Sequence, residues 1–326
     1  MPLSRRHMVQ LGAALAWGGS AAAQAQSAAP VTLVVPSSRG GATDFVANLL
    51  AHALGERLGT HFEVVNVPGR SGFVGSGMVA RSRPDGHTLL VSSSSTFVTA
   101  AQIFPNIPYD NDRDLLPLSM LASNALVLCV RRDAQVESLA DLLRLAPEST
   151  PRLAYGCSGF GSSTHLAMEE LRHRNRLSMA HTAFEGGSRA VQGLLGSEID
   201  VAFFDVAVAL PYIASQAIRP LAVSSTLRLA QLPEVPTLDE AGQSGFHAHT
   251  DFALFAPAET PPAETRRLAT AAREVMGSGM MRRRLALMGM TPATLPAEEF
   301  PAYLANEKAQ LQALLREHPV PPPEGY

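Results

Sequence analysis

The chain has 326 residues, 46% of them hydrophobic and 17% charged, with a formal net charge of −3. That length exceeds what one small core usually holds and predicts two lobes. The charge is mildly acidic and no Lys/Arg cluster suggests a nucleic-acid surface, the short Arg282-Arg283-Arg284 run reading as the solvated face of a helix, and past the leader no apolar run is long enough for a membrane span.

Ser4-Arg5-Arg6-His7 is basic, Leu11 to Ala23 carries no charge, and Ala23-Gln24-Ala25 is an A-x-A cleavage site. This order defines a secretory signal peptide over residues 1–25, cut after Ala25, and hence a periplasmic product. The paired arginines also fit a twin-arginine signal. Met8 stands where that signal usually has an aromatic residue, so both export routes stay open.

Val31 to Val35 is a β-branched run and predicts a strand, followed by a loop from Pro36 to Gly41. From Thr43 to Leu58 apolar residues recur at helical spacing. A strand at Phe62–Val67, a turn at Pro68–Gly72, a short helix at Val74–Arg81 and a strand at Thr88–Val91 follow. A second set of the same kind begins at Leu126–Val130. It continues with helices at Leu139–Leu145, Thr164–Arg174 and Ser188–Leu195, and strands at Leu153–Tyr155, Met179–Phe184, Val201–Phe204 and Leu221–Ser224.

Ala230 to Phe246 is rich in Pro and Gly and reads as a linker crossing between lobes. Phe252–Ala256 is then a strand, with helices at Pro262–Met276, Met280–Met288 and Glu298–Arg316, and a proline-rich extended tail at 319–326. This order predicts an α/β protein with lobe one at 26–124 plus 249–326 and lobe two at 125–248. A hinged binder with its ligand cleft between the lobes fits that arrangement.

The chemistry concentrates in two strand–glycine–helix loops. Pro36-Ser-Ser-Arg-Gly-Gly-Ala-Thr-Asp44 precedes the first helix. Helix starts leave free N–H groups and a positive dipole end, and a carboxylate satisfies both. Gly40 and Gly41 admit close approach, Thr43 adds a hydroxyl, and Asp44 fits a cap that fixes the loop. Tyr155-Gly-Cys-Ser-Gly-Phe-Gly-Ser-Ser-Thr-His165 repeats the design, with hydroxyl donors at Ser158, Ser162, Ser163 and Thr164. Neither loop matches the ATP or dinucleotide fingerprints. Nothing calls for a cofactor or a metal: Cys129 and Cys157 lack zinc spacing and read as free thiols.

The chain resembles the tripartite tricarboxylate transporter substrate-binding family, the Bug-type periplasmic solute receptors, from about Val31 to Leu315. The residues that carry this are the first loop against P-F-x-P-G-G-x-T-D, Asn66-Val-Pro-Gly-Arg-Ser-Gly72 against N-x-P-G-A-G-G, and Pro84-Asp-Gly-His-Thr-Leu-Leu90 against P-D-G-Y-T-L-L. The second loop against Y-G-S-x-G-x-G-S-x-x-H, Phe184-Glu-Gly-Gly187 near Y-K-G, Leu232-Pro-Glu-Val-Pro-Thr237 and Phe255-Ala-Pro257 complete the series.

The resemblance implies a two-lobed periplasmic-binding-protein (venus-flytrap) fold, type II-like, that captures a small carboxylate for membrane permease subunits. Di- and tricarboxylates, aromatic acids and amino acids all remain open. By position it implies ligand contacts from Ser38, Arg39, Gly40, Gly41, Thr43 and Asp44, from Ser93 and Ser94 in the serine run, and from Ser158, Gly159, Gly161, Ser162 and His165. The chain departs from the family at Ser37 for Phe, Arg39 for Pro, Cys157 for Ser and Glu185 for Lys. Arg39 either pairs with a second ligand carboxylate or is a solvated surface residue.

Phe160 and Phe184 either flank a ligand or belong to the core. Asp205, at a strand end, either holds an ammonium or caps a helix. His165 reads as a structural hydrogen-bond partner. The protein is expected to be a monomer, and two other readings differ in class: a ligand-sensing receptor for a membrane signalling protein, and a Ser/Cys hydrolase using Cys157 with His165. The absence of a G-x-S-x-G elbow counts against the hydrolase.

Overall fold

β1 (Val31–Val35) is buried at nearly every position, as a parallel strand covered on both faces should be. The computed structural model describes residues 29–148, 152–246, 248–293, 295, 298–317 and 319–320. The expected leader and most of the proline-rich tail lie outside them.

After β1 come α1 (Ala42–Leu58), β2 (Phe62–Asn66), α2 (Phe73–Ala80) and β3 (Thr88–Ser93). A π turn at Ser95–Ala100 runs into α3 (Ala101–Ile103), and β4 (Leu115–Arg131) follows. The second set is α4 (Leu139–Leu145), β5 (Ala154–Cys157), α5 (Ser163–Arg174), β6 (Ala180–Ala183), α6 (Gly187–Leu195), β7 (Val201–Asp205), α7 (Val206–Ala214) and β8 (Ile218–Val223). The chain ends with β9 (His249–Pro257), α8 (Pro262–Met276), α9 (Gly279–Leu287), β10 (Met290–Pro292) and α10 (Phe300–Glu317).

The sheet runs β2-β1-β3-β9-β4-β7-β5-β6, with β8 and β10 also paired to β4. β1 lies parallel to β2 and β3, and β5 parallel to β6 and β7. These two parallel βαβ sets are joined by antiparallel β4 and β9. The Leu115–Ala125 part of β4 pairs with β9, whereas Leu126–Val130 pairs with β7 and Val127–Arg131 with β8. The exchange of partners between Ala125 and Leu126 is the covalent junction of the two halves.

One core cluster runs through both halves and includes Leu33, Leu50, Leu121, Val127 and Phe204. A second fills the first half, where Phe73 meets Phe104 edge to face at 5.5 Å. A third fills the other half, around Tyr155, Leu171 and Phe203.

Three expectations need correcting. β4 begins eleven residues before Leu126: Pro117, Ser119, Ser123 and Asn124 interrupt its apolar run, and register shifts at Pro117/Ser119 and Met120/Ala122 absorb the irregularity. α7 has no counterpart in the sequence reading, because its first half is apolar on every side and Pro211 sits inside it. The 230–246 segment is not a crossing linker. It stays with the second half: the Leu238 N–H donates to the Val223 carbonyl at 2.8 Å, and Phe246 stacks on Phe203 at 5.8 Å. The outward crossing is made by β4 itself, whereas every strand partner of β9 lies in the first half.

Candidate functional site

Four helix starts meet around one cavity of about 240 Å³ between the two halves. α1 brings Gly41, Ala42 and Thr43 to its wall, α5 brings Ser162, α6 brings Gly186 and Gly187, and Asp205 stands just before α7. At α1 the N-cap is Gly41, whose lack of a side chain leaves the first-turn N–H groups without a side-chain cap. At α5 the Ser162 hydroxyl takes the His165 N–H at 3.2 Å.

The residues expected at the site divide into two groups. Gly41, Thr43, Ser93, Ser158, Gly159, Ser162, Phe184 and Asp205 line the cavity. Ser38, Arg39, Gly40, Asp44, Ser94, Gly161 and His165 do not, and each has another task. The Gly40 N–H donates to Asp44 Oδ2 at 2.9 Å, and Asp44 Oδ1 also accepts from Asn66 Nδ2 at 2.9 Å, so Asp44 holds the loop from behind. The Ser94 hydroxyl accepts the Asp251 N–H at 3.0 Å. His165 Nδ1 accepts the Gly161 N–H at 3.0 Å.

Arg39 is exposed, and the cation on the cavity wall is Arg70, on the 68–72 turn. That turn and, Phe184 apart, the β6–α6 loop from Ala183 to Gly187 also line the cavity and were not expected there. The second had a legible signal: Phe184-Glu-Gly-Gly187 repeats the strand–glycine–helix pattern of the other two loops.

Ser38 and Arg39 instead join the halves. The Ser38 hydroxyl donates to the Glu185 carbonyl at 2.5 Å, and the Ser188 hydroxyl to the Arg39 carbonyl at 3.0 Å. Ser71 donates to the Phe160 carbonyl at 2.9 Å, and the Ser163 N–H to the Ser95 hydroxyl at 3.0 Å. The cleft is closed along these seams.

Asp205 does not cap α7, contrary to one expectation: its side chain accepts no cap hydrogen bond. Burial pushes its carboxyl up to about 6, and the Thr250 hydroxyl beside it pulls weakly the other way, outside regular hydrogen-bond geometry.

The thiol–imidazole pair expected of a hydrolase takes a different form. Cys157 Sγ lies 3.2 Å from His181 Nε2, and His165 stacks on His181 at 4.3 Å. Burial pushes the Cys157 thiol up to about 12, the opposite of nucleophile activation. Burial, with His181 adding to it, pushes His165 down to about 3. Both cysteines are free.

A two-halved α/β body with helix starts converging on a cavity at its junction defines a hinged solute receptor. The chain belongs to the tripartite tricarboxylate transporter receptor family, whose model matches residues 46–319. Bordetella pertussis BugT is 31% identical over 316 residues, covering 96% of this chain and 97% of that protein. An R. palustris protein solved with adipate superposes with a TM-score of 0.88 at 27% identity, covering 91% of this chain and 99% of that one. The periplasmic binding protein BugD gives 0.85 at 26% identity, covering 90% and 98%. MatC from Rhodopseudomonas palustris with bound malate gives 0.82 at 27% identity, covering 88% and 99%. The fold is the two-lobed one of periplasmic binding proteins. No helix among the described residues is long and apolar enough to cross a membrane.

Proposed function

We propose that the protein is a periplasmic receptor that closes on a small carboxylate and presents it to the membrane subunits of a tripartite tricarboxylate-type transporter. The observation that carries this is the meeting of the α1, α5 and α6 starts on one cavity between the halves. The α1 and α6 starts carry no side-chain cap and offer N–H groups, α5 adds its positive dipole end, and together they suit one anionic guest. Relatives of the same fold, solved with adipate and with malate, support the class of ligand.

In this reading the lobes are 26–124 plus 249–326 and 125–248, and the ligand contacts come from Gly41, Thr43, Ser93, Ser158, Gly159 and Ser162. A ligand that touches both lobes only when they are closed favours the closed state, and the closed face is what the membrane partner meets. Cys157, buried with its pKa pushed up to about 12, supports binding without chemistry.

The test is a thermal-shift screen over carboxylates, since a ligand bound only by the folded state raises the melting temperature. We expect at least one carboxylate to raise it and, in small-angle scattering, to shrink the radius. A screen in which amines or sugars shift melting and no carboxylate does would sink the reading.

A further inference from the structure

Where β4 exchanges one partner for the other, three polar side chains come from neighbouring strands. Thr250 on β9 lies opposite Asn124 on β4, and Asp205 on β7 lies opposite Leu126, two residues further along β4. Asn124 and Thr250 are almost completely buried, and Asp205 is 9% exposed. Asp205 Oδ1, Thr250 Oγ1 and both amide atoms of Asn124 have no hydrogen-bond partner among the described residues.

Folded proteins rarely leave such groups unmet. Asp205 is also not used by the helix it precedes. Asp205 and Thr250 both line the cavity between the lobes, on strand ends and not on the glycine loops suited to an anion. An ionised carboxylate only accepts hydrogen bonds, while a threonine hydroxyl accepts or donates. The unmet Asp205 oxygen on the cavity wall therefore calls for a donor, from which the Thr250 hydroxyl can also accept.

We propose that Asp205 and Thr250 form a second ligand subsite, which takes a hydrogen-bond donor carried by the same solute whose carboxylate meets the helix starts. The preferred solutes are then amino- or hydroxy-carboxylates, not plain acids. This rests on the carboxylate reading given above. Arg70 and Glu185, the other charged residues on the cavity wall, lie on loops of opposite lobes.

The test uses three carbon skeletons, each as plain, hydroxy and amino acid: propionate, lactate and alanine; succinate, malate and aspartate; phenylpropionate, phenyllactate and phenylalanine. Affinities are measured by calorimetry on the wild type and on Asp205→Asn, Asp205→Ala and Thr250→Val. In the skeleton that binds, we expect the hydroxy or amino member to exceed its plain twin at least ten-fold. Asp205→Ala and Thr250→Val narrow that gap to about three-fold or less.

Asp205→Asn separates the two donors. It abolishes the preference for an ammonium and keeps most of the preference for a hydroxyl, which the amide oxygen still accepts. Unliganded Asp205→Asn should melt no lower than wild type, because a buried carboxyl without a partner does not stabilise the fold. A lower melting temperature would assign Asp205 a structural role and overturn the inference. Plain acids binding as tightly as their twins would overturn the inference alone and leave the carboxylate reading standing. If no acid of any skeleton bound, both would fall.

Discussion

The Ser38 hydroxyl donates to the carbonyl of Glu185 at 2.5 Å, tying the first glycine loop to the third across the cleft mouth. Neither partner's role there depends on a side chain that recognises a solute. The bond exists only when the lobes meet, so it belongs to the closed state.

Ser38→Ala should therefore weaken every ligand by the same factor. Losing one such hydrogen bond costs about 0.5–1.5 kcal/mol, roughly a 2–10-fold rise in Kd. Selectivity among solutes stays as in the wild type, and small-angle scattering at half-saturating ligand shows a larger mean radius. A loss that differs from one solute to the next would make Ser38 a ligand contact instead of a latch.

The 68–72 turn is held by its close fit. Gly72 has φ of 90°, and a Cβ there would lie 2.5 Å from Thr96 Oγ1 and 3.3 Å from the Pro36 carbonyl. Gly72→Ala must push the turn, with Arg70 on it, away from the first loop. The strain is about 1–3 kcal/mol before the clash is added, and we expect lower melting together with severely weakened binding. Gly242→Ala is the control: φ is 86° there, but a Cβ meets nothing within 4 Å. That variant should lose stability and keep its affinity, as melting and calorimetry on the two proteins would show.

The positions of the first two loops were legible because a β-branched strand, a glycine pair and a helical apolar period follow one another without interruption. Which atoms of a loop face the cavity was not. Arg39 and Arg70 each adjoin a glycine in the sequence, and only the path of the backbone sends Arg39 outward and puts Arg70 on the wall. The third loop was legible as a loop between a strand and a helix, and its place at the cavity was not, since its strand β6 is four residues with partly exposed positions and no clear period. A helix cap was one of the two readings of Asp205, because a carboxylate before a helix usually is one. Its missing partner is a tertiary fact, created by Asn124 and Thr250 arriving from elsewhere in the chain.

Behind the cleft, His249 gives the fold a pH dependence of known sign. His249 Nε2 lies 3.2 Å from Asp251 Oδ2 and 3.8 Å from Glu307 Oε2, and the Tyr303 hydroxyl also donates to Asp251. The hydrogen bond to Asp251 holds the His249 pKa above its ordinary value. Burial alone would raise Asp251, but the bonds from His249 and Tyr303 outweigh it and hold the carboxyl below the usual range. A raised histidine pKa gives stability that is complete below the unfolded value, near 6.5, and is lost as pH rises through the folded one. A lowered aspartate pKa gives stability that is lost as pH falls through it. The pair therefore contributes most from about pH 4 to 6.5. The His249 side chain is 41% exposed, so screening limits its contribution to about 1 kcal/mol, or about 2–4 °C in melting temperature. Melting of His249→Gln should fall below wild type by that amount at pH 6, and the gap should narrow by pH 9. A gap of equal size at both pH values would mean that His249 acts by packing and not by its charge.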